Sequence, residues 1–387
     1  MSFLTFQRLA RHAAWVAGLM LVGCAEPSVR AVPATGDIAH AAGSAQAVIP
    51  PYRARTTRAR PLVVVVGDNA GVEVSDFLVP YAILSRAGGI EVVAVTLDEG
   101  PLATFTDLGR RSFTIATDTT VAQFDAARPE GADYVIVPAQ AAKARLLAWL
   151  KQQAGQGATI VTICNGALVA AKMGIFDGRR ATAHWSTGAS RAETFPGIQW
   201  TPNRRYIADG NWVSTAGVSA AIPTSLALVE AIHGHEKAQN LALSIGTNTW
   251  SAQHDSDAFR PRLGTAVPLA KVLYTNRWVH ADETIDVLGT EGMDEATLAL
   301  TVDAYSTTGR SQASLVSATG ALFVTRHGLR IVPDRKREAG SAVPLISPAN
   351  AMPVGALNGA LDGIMQRYGR ATAEGVALAF EYPDFLR

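Results

Sequence analysis

Ala158-Thr-Ile-Val-Thr-Ile-Cys164-Asn165-Gly166-Ala-Leu-Val-Ala-Ala-Lys-Met173-Gly174 is the stretch whose reading decides the fold. Ala158 to Ile163 is largely apolar and β-branched, which predicts a strand buried on both faces of a parallel sheet. The run stops at Cys164-Asn165-Gly166. Ala167 to Met173 then predict a helix, which Gly174 ends with left-handed backbone. A cysteine on such a strand-to-helix turn has the first helical amides pointing back at it, and the positive end of the helix dipole favours thiolate over thiol. Cys164 is therefore a candidate nucleophile, with the amides of Asn165 and Gly166 as expected oxyanion donors. The competing reading is a small buried apolar residue.

The flanking chain has the same alternating character. Leu62 to Val66, Glu91 to Val95, Asp133 to Pro138 and Asn211 to Thr215 predict further strands, and Leu102 to Thr117 a hairpin or crossover. Helices are expected at Glu73–Arg86, Lys143–Gln153, Gly217–Ile232 and Glu236–Gly246. Strands and helices in this alternation imply an α/β fold with a mostly parallel sheet covered on both sides, and place sites at the carboxyl ends of its strands.

The N-terminus reads differently. Arg8, Arg11 and His12 precede a ten-residue apolar run, Ala13 to Val22, too short for a comfortable membrane span. Leu21-Val22-Gly23-Cys24 is similar to the lipobox of bacterial lipoproteins, so residues 1–23 are expected to be a signal peptide and Cys24 the lipidated residue. Ala25 lacks the aspartate that marks inner-membrane retention, which favours the outer membrane, on its periplasmic side. Residues 24–60 read as a flexible linker, with Arg53, Arg55, Arg58 and Arg60 solvated or lying on anionic lipid. With Cys24 lipidated, Cys164 has no disulfide partner, because the chain holds 2 cysteines. The 34 Lys+Arg balance 33 Asp+Glu, and no basic recognition helix follows, so nucleic acid is not an expected partner.

The length of 387 residues favours more than one domain. Beyond Thr247–Pro268, a long irregular connection, the order at Thr284–Leu288 (strand), Met293–Tyr305 (helix), Gln312–Ser317 (strand) and Ala321–Pro333 (hairpin) repeats that of residues 62–117. Residues 251–387 are expected to form a smaller α/β region, a degenerate second half-copy without a cysteine, with Gly355 to Leu378 helical. His233-Gly-His235-Glu236 and His254-Asp255 with Asp257 are read as solvated loops, since a metal site needs three or four convergent ligands; neither metal nor cofactor is expected.

Three segments carry a family resemblance: Gly71-Val-Glu-Val-Ser-Asp76-Phe-Leu-Val-Pro-Tyr-Ala-Ile-Leu84, Ile163 to Trp185, and Asp209 to Glu230. In order and spacing they resemble the ThiJ/PfpI superfamily, most of all the branch of isonitrile hydratases and the amidase-like domains of AraC-type regulators. The resemblance covers residues 61–250. It implies a flavodoxin-like, class I glutamine amidotransferase-like three-layer sandwich, commonly a homodimer. It also implies that Cys164 is the elbow nucleophile, Asp76 the acid/base meeting the sulfur, and His184 the family histidine. The sequence departs from the pattern at Pro138-Ala139-Gln140, where Pro-Gly-Gly is usual, at Asn165, and at Ala221 and Pro223. Two readings stand: a hydratase or amidase acting on a small C–N or carbonyl compound, or a non-catalytic periplasmic ligand-binding, redox-sensing or assembly module.

Overall fold

The structure, a computed structural model, describes residues 48–348 and 351–386; the expected leader and Cys24 lie outside them. The described residues belong to one compact unit.

Its main sheet is built from β1 (Leu62–Gly67), β2 (Glu91–Thr96), β5 (Tyr134–Val137), β6 (Thr159–Thr162), β7 (Tyr206–Asp209) and β8 (Trp212–Thr215), in the order β7-β8-β6-β5-β1-β2. All neighbours are parallel except β7 and β8. Burial on both faces explains the unbroken apolar runs: Val63 and Val65 enter one core, while Leu62, Val64 and Val66 enter the other. Helices α1 (Val74–Ala87) and α5 (Ala221–His233) cover the first face, packed on each other. Helices α2 (Val121–Ala127), α3 (Ala144–Gly155) and α4 (Gly166–Ala171) supply the second, and α6 (His235–Ile245) packs outside α5. This is the expected α/β sandwich.

Residues 102–117 form a hairpin, β3 (Leu102–Phe105) and β4 (Arg111–Ala116). Past residue 280 the same order returns: β9 (Glu283–Leu288), α7 (Glu295–Ser306), β10 (Ser311–Ser317), and a hairpin of β11 (Phe323–Val324) and β12 (Arg330–Val332). The strand starts, 62 and 283, and the helix starts, 74 and 295, are both 221 residues apart. β9 and β10 pair in parallel and are flanked by β13 (Arg335–Lys336) and β14 (Leu345–Ile346). Residues 61–250 and 251–387 are knitted together. β12 pairs antiparallel with β4, extending a five-stranded sheet through both, and α7 packs along α1. Helices α8 (Pro353–Tyr368) and α9 (Arg370–Ala379) close the chain, α8 against α7.

The arginines ahead of β1 are not simply solvated. Arg58 and Arg55 lie 3.4 Å and 3.7 Å from the buried Asp133 carboxylate, and the Tyr52 amide donates to Ala231 O. The isolated carboxylate at the start of β5 supplies the reason: buried, it needs cations or donors.

Candidate functional site

Cys164 follows β6 in the turn before α4, with φ of +53°, left-handed backbone that a non-glycine residue adopts at a cost of about 1–3 kcal/mol. Its amide donates to Thr215 Oγ1 at the end of β8 (2.9 Å), which fixes the turn. Gly166 is required where it stands: a Cβ there would lie 2.1 Å from Val137 O, so α4 starts pressed against β5. The amides divide in a way the sequence did not show. Asn165 N–H donates toward the Cys164 sulfur, whereas Gly166 N–H is taken by Ile163 O (2.8 Å) and is not a free oxyanion donor. The Asn165 side chain accepts from Thr187 Oγ1 (3.0 Å).

Asp76 lies in the first turn of α1, whose N-cap Glu73 accepts the Asp76 amide through Oε2 (2.6 Å). Asp76 is fully buried; its Oδ2 accepts from Ala139 N–H (3.0 Å), and among the described residues its Oδ1 has no donor. The Pro138-Ala139-Gln140 departure is thus put to use: Ala139 N–H holds Asp76, and Gln140 bridges Asp68 N–H and Val66 O. Of the charges around the sulfur, that of Asp76 acts on it most strongly, yet no hydrogen bond joins the two. Expected hydrogen-bonding reach is replaced by electrostatic contact.

The electrostatics reverse the thiolate expectation. Burial, then the charges of Asp76 and Asp107, push the Cys164 thiol well up, outweighing the Asn165 amide; Glu73 adds to this only when it is ionised. Burial also raises Asp76 to about 8, despite the Ala139 amide, so at neutral pH it is a carboxylic acid. Asp107, in the β3–β4 turn, is raised to about 6, chiefly by burial. The resting site is a thiol beside an acid.

His184 is buried but not free for proton transfer. Its Nε2 meets Ala379 O (2.7 Å), and its Nδ1 meets Ser186 Oγ (2.7 Å) and Ser186 N–H (3.2 Å), so both ring nitrogens are partnered. The Ala379 carbonyl belongs to the C-terminal tail, which the sequence did not connect with this site. Glu381, also left-handed at φ +53°, accepts from Trp185 N–H (2.9 Å), Gly217 N–H (3.1 Å) and Ser256 Oγ, and meets His254 Nε2 at 2.7 Å. Burial raises Glu381, but the His254 bond, the charges of His184 and His254, and the Trp185 amide more than reverse it. His254 is therefore buried against a carboxylate, not part of a solvated loop, because Glu381 needs a partner there. His233 and His235 do not converge: one meets Gly88 O, the other Glu230.

Elsewhere Asp294, Glu295 and His327 approach closely enough to suggest a metal. They are already engaged: Asp294 caps α7 and pairs with Arg86, while Glu295 binds Thr325, His327 N–H and His327 Nδ1. A cavity of about 680 Å³ between Ser219, Pro223, Asn248, Gln253, Asn358 and Tyr382 is not lined by Cys164.

The chain is similar to known proteins over its first half. The DJ-1/PfpI family matches residues 62–231. The isonitrile hydratase of Pseudomonas putida is 27% identical over 181 residues, 45% of this chain and 73% of that protein. An HTH-type transcriptional regulator of Pseudomonas aeruginosa, CdhR, is 34% identical over 101 residues, 26% of this chain and 30% of that protein. Among solved structures, Drosophila melanogaster DJ-1beta is similar with a TM-score of 0.43 at 23% identity, covering 49% of this chain and 100% of that one. An AraC family transcriptional regulator from Pseudomonas putida gives 0.39 at 21%, covering 47% and 97%. Residues 62–231 are a DJ-1/PfpI family domain.

Proposed function

We propose that the chain is a cysteine-dependent hydratase that adds water across a small C–N multiple bond, an isonitrile being the model substrate. The observation that carries this is the protonated, half-unpartnered Asp76 carboxyl beside the Cys164 thiol. Acyl substrates need two free amides for an oxyanion. Here Gly166 N–H and Ala139 N–H are both engaged. Addition to an isonitrile forms no oxyanion in its first step; it needs an acid. Asp76 protonates the terminal carbon, the sulfur bonds to that carbon, and the thiol proton passes to the Asp76 carboxylate, leaving a thioimidate and a neutral acid. Water then adds to the thioimidate carbon, and collapse returns the thiol and releases an N-substituted formamide.

The test is turnover of methyl or cyclohexyl isonitrile followed by NMR of the formamide. We expect turnover lost at least about 10²-fold in Cys164→Ser and in Asp76→Asn. A wild-type chain that makes no formamide removes the reading. The non-catalytic module is favoured by one observation, the 2% exposure of Cys164, and would appear as ligand binding without turnover. Peroxide sensing fits less well, since oxidation follows thiolate character and this thiol is pushed up.

Export is part of the proposal and rests on the Arg8–Cys24 sequence alone. Radiolabelled palmitate is expected to enter the wild-type chain and not Cys24→Ala, with unprocessed precursor accumulating in the variant. Equal labelling of both would end the lipoprotein reading. Among the described residues no helix is long and apolar enough to cross a membrane.

A further inference from the structure

The C-terminal half reaches the Cys164 site through one side chain. Helices α1 and α7 run antiparallel: Ser75, at the start of α1, meets Asp303 near the end of α7, and Arg86, at the end of α1, meets Asp294 at the cap of α7. Asp303 is fully buried, so its carboxylate must be satisfied by protein groups. Three donors do this. Ser75 Oγ reaches Oδ2 at 2.8 Å, and Asp107 N–H and Thr307 Oγ1 reach Oδ1 at 2.9 and 3.4 Å.

Glu73 is the opposite case. It too is buried, but among the described residues only the Asp76 amide donates to it, and Oε1 has no donor. Of the carboxyl groups that act on Glu73, Asp303 does so more strongly than Asp76. Two adjacent carboxylates cannot both be ionised in such an interior, and one proton between them supplies the donor that Oε1 lacks. The distribution of donors decides where that proton sits. Asp303, with three, carries the charge; Glu73 carries the proton.

We propose that Asp303 is a positioning residue for the Cys164 site: it takes the negative charge of a proton-sharing pair with Glu73, and so fixes the helix start bearing Asp76 and the turn bearing Asp107. The half-copy is thereby part of the site and not an appendage. Other titratable groups face this pair: Asp76 from α1 and Asp107 from the hairpin, and beyond them Cys164, with His184 and Glu381 acting on Asp107. Burial and Asp303 both raise Glu73, in keeping with its being the neutral partner. The positioning stands on this geometry; only its catalytic consequence rests on the hydratase reading.

The test uses the full chain. The carboxylic C=O infrared band assigned to Glu73 by its loss in Glu73→Gln is expected at pH 7 in wild type. It should be absent in Asp303→Asn, where the asparagine amide donates to an ionised Glu73. The newly charged Glu73 then opposes thiolate formation, so the pH midpoint of Cys164 alkylation by iodoacetamide moves up by about one unit. In a Glu73→Gln background Asp303→Asn should no longer move it, and Asp303→Glu should restore the wild-type midpoint. A Glu73 band that survives Asp303→Asn, or an equal shift in both backgrounds, overturns the proposal, as purely structural packing would give. If Asp303→Asn does not fold, Glu73→Gln decides: its amide mimics the protonated acid, so an unchanged midpoint supports the pair, and a drop of more than about half a unit shows that Glu73 was charged. Formamide turnover is scored separately: its absence with the band shift present removes the hydratase and leaves the positioning.

Discussion

At the scale of single residues, the site is governed by what burial does to acids. The elbow geometry places Cys164 at a helix start, where the dipole and the Asn165 amide favour thiolate, but desolvation and the charges of Asp76 and Asp107 act in the opposite direction and prevail. The balance is directly measurable. The midpoint of Cys164 alkylation against pH, read by mass spectrometry, is expected above the ordinary value of about 8.5. In Asp76→Asn it should fall, because at the pH where the thiol titrates Asp76 is itself ionised and opposes the thiolate. An ordinary midpoint that Asp76→Asn leaves unmoved would show that the two side chains do not interact. The cysteine turn could be read from sequence because an apolar run ending at Cys-Asn-Gly is a local signal. The fate of each amide could not, since whether Gly166 N–H faces a substrate or Ile163 O depends on the tightness of a single turn.

At the scale of elements, α1 and α7 enclose an acidic interior, and this sets how the fold responds to pH. Glu73, Asp76, Asp107 and Asp303 are all raised, burial being the main cause. A carboxyl raised in the folded state contributes stability that is complete below its unfolded pKa, 3.8 for Asp76, and is lost as pH climbs through the folded value, about 8 for that residue. Asp209, Asp282, Glu283 and Glu381 are lowered, so their contribution is lost only in acid, below the window considered. Stability by urea unfolding should therefore fall by a few kcal/mol, on the order of 3, between pH 5 and pH 8, and Asp76→Asn should flatten that fall. A profile that is level or rises with pH in wild type would contradict the raised acids. Both helices were legible, α1 from its apolar stripe and the glycines that end it, α7 as the run Met293–Tyr305; α2 was not. Asp303 was not: on a helix buried all round, a polar residue breaks no period, and its partners Ser75 and Asp107 are 228 and 196 positions away. His254 was misread for the same reason, its partner Glu381 being 127 residues distant.

At the scale of the molecule, the return of strand, helix, strand and hairpin at a spacing of 221 residues was visible as pattern, but how the two halves meet was not. Periodicity reports which residues are buried, not against what. β4 and β12 join edge to edge, so the sheet begun by one half is finished by the other, and α1 is covered by α7 and α5. Such interleaving predicts one cooperative unit. Ile331, fully buried on β12 opposite Ile115 on β4, is a single point at which to test this. Ile331→Ala removes buried methyl groups at the junction, and a loss of about 2–4 kcal/mol is expected. Hydrogen exchange of peptides from β1, β6 and β10, followed through the urea transition, should show all three opening together in wild type and together, at lower urea, in the variant. If the β10 peptide opened first while β1 and β6 kept wild-type protection, the C-terminal half would be a separately folding body. Asp303 would then leave the site before Cys164 lost its surroundings.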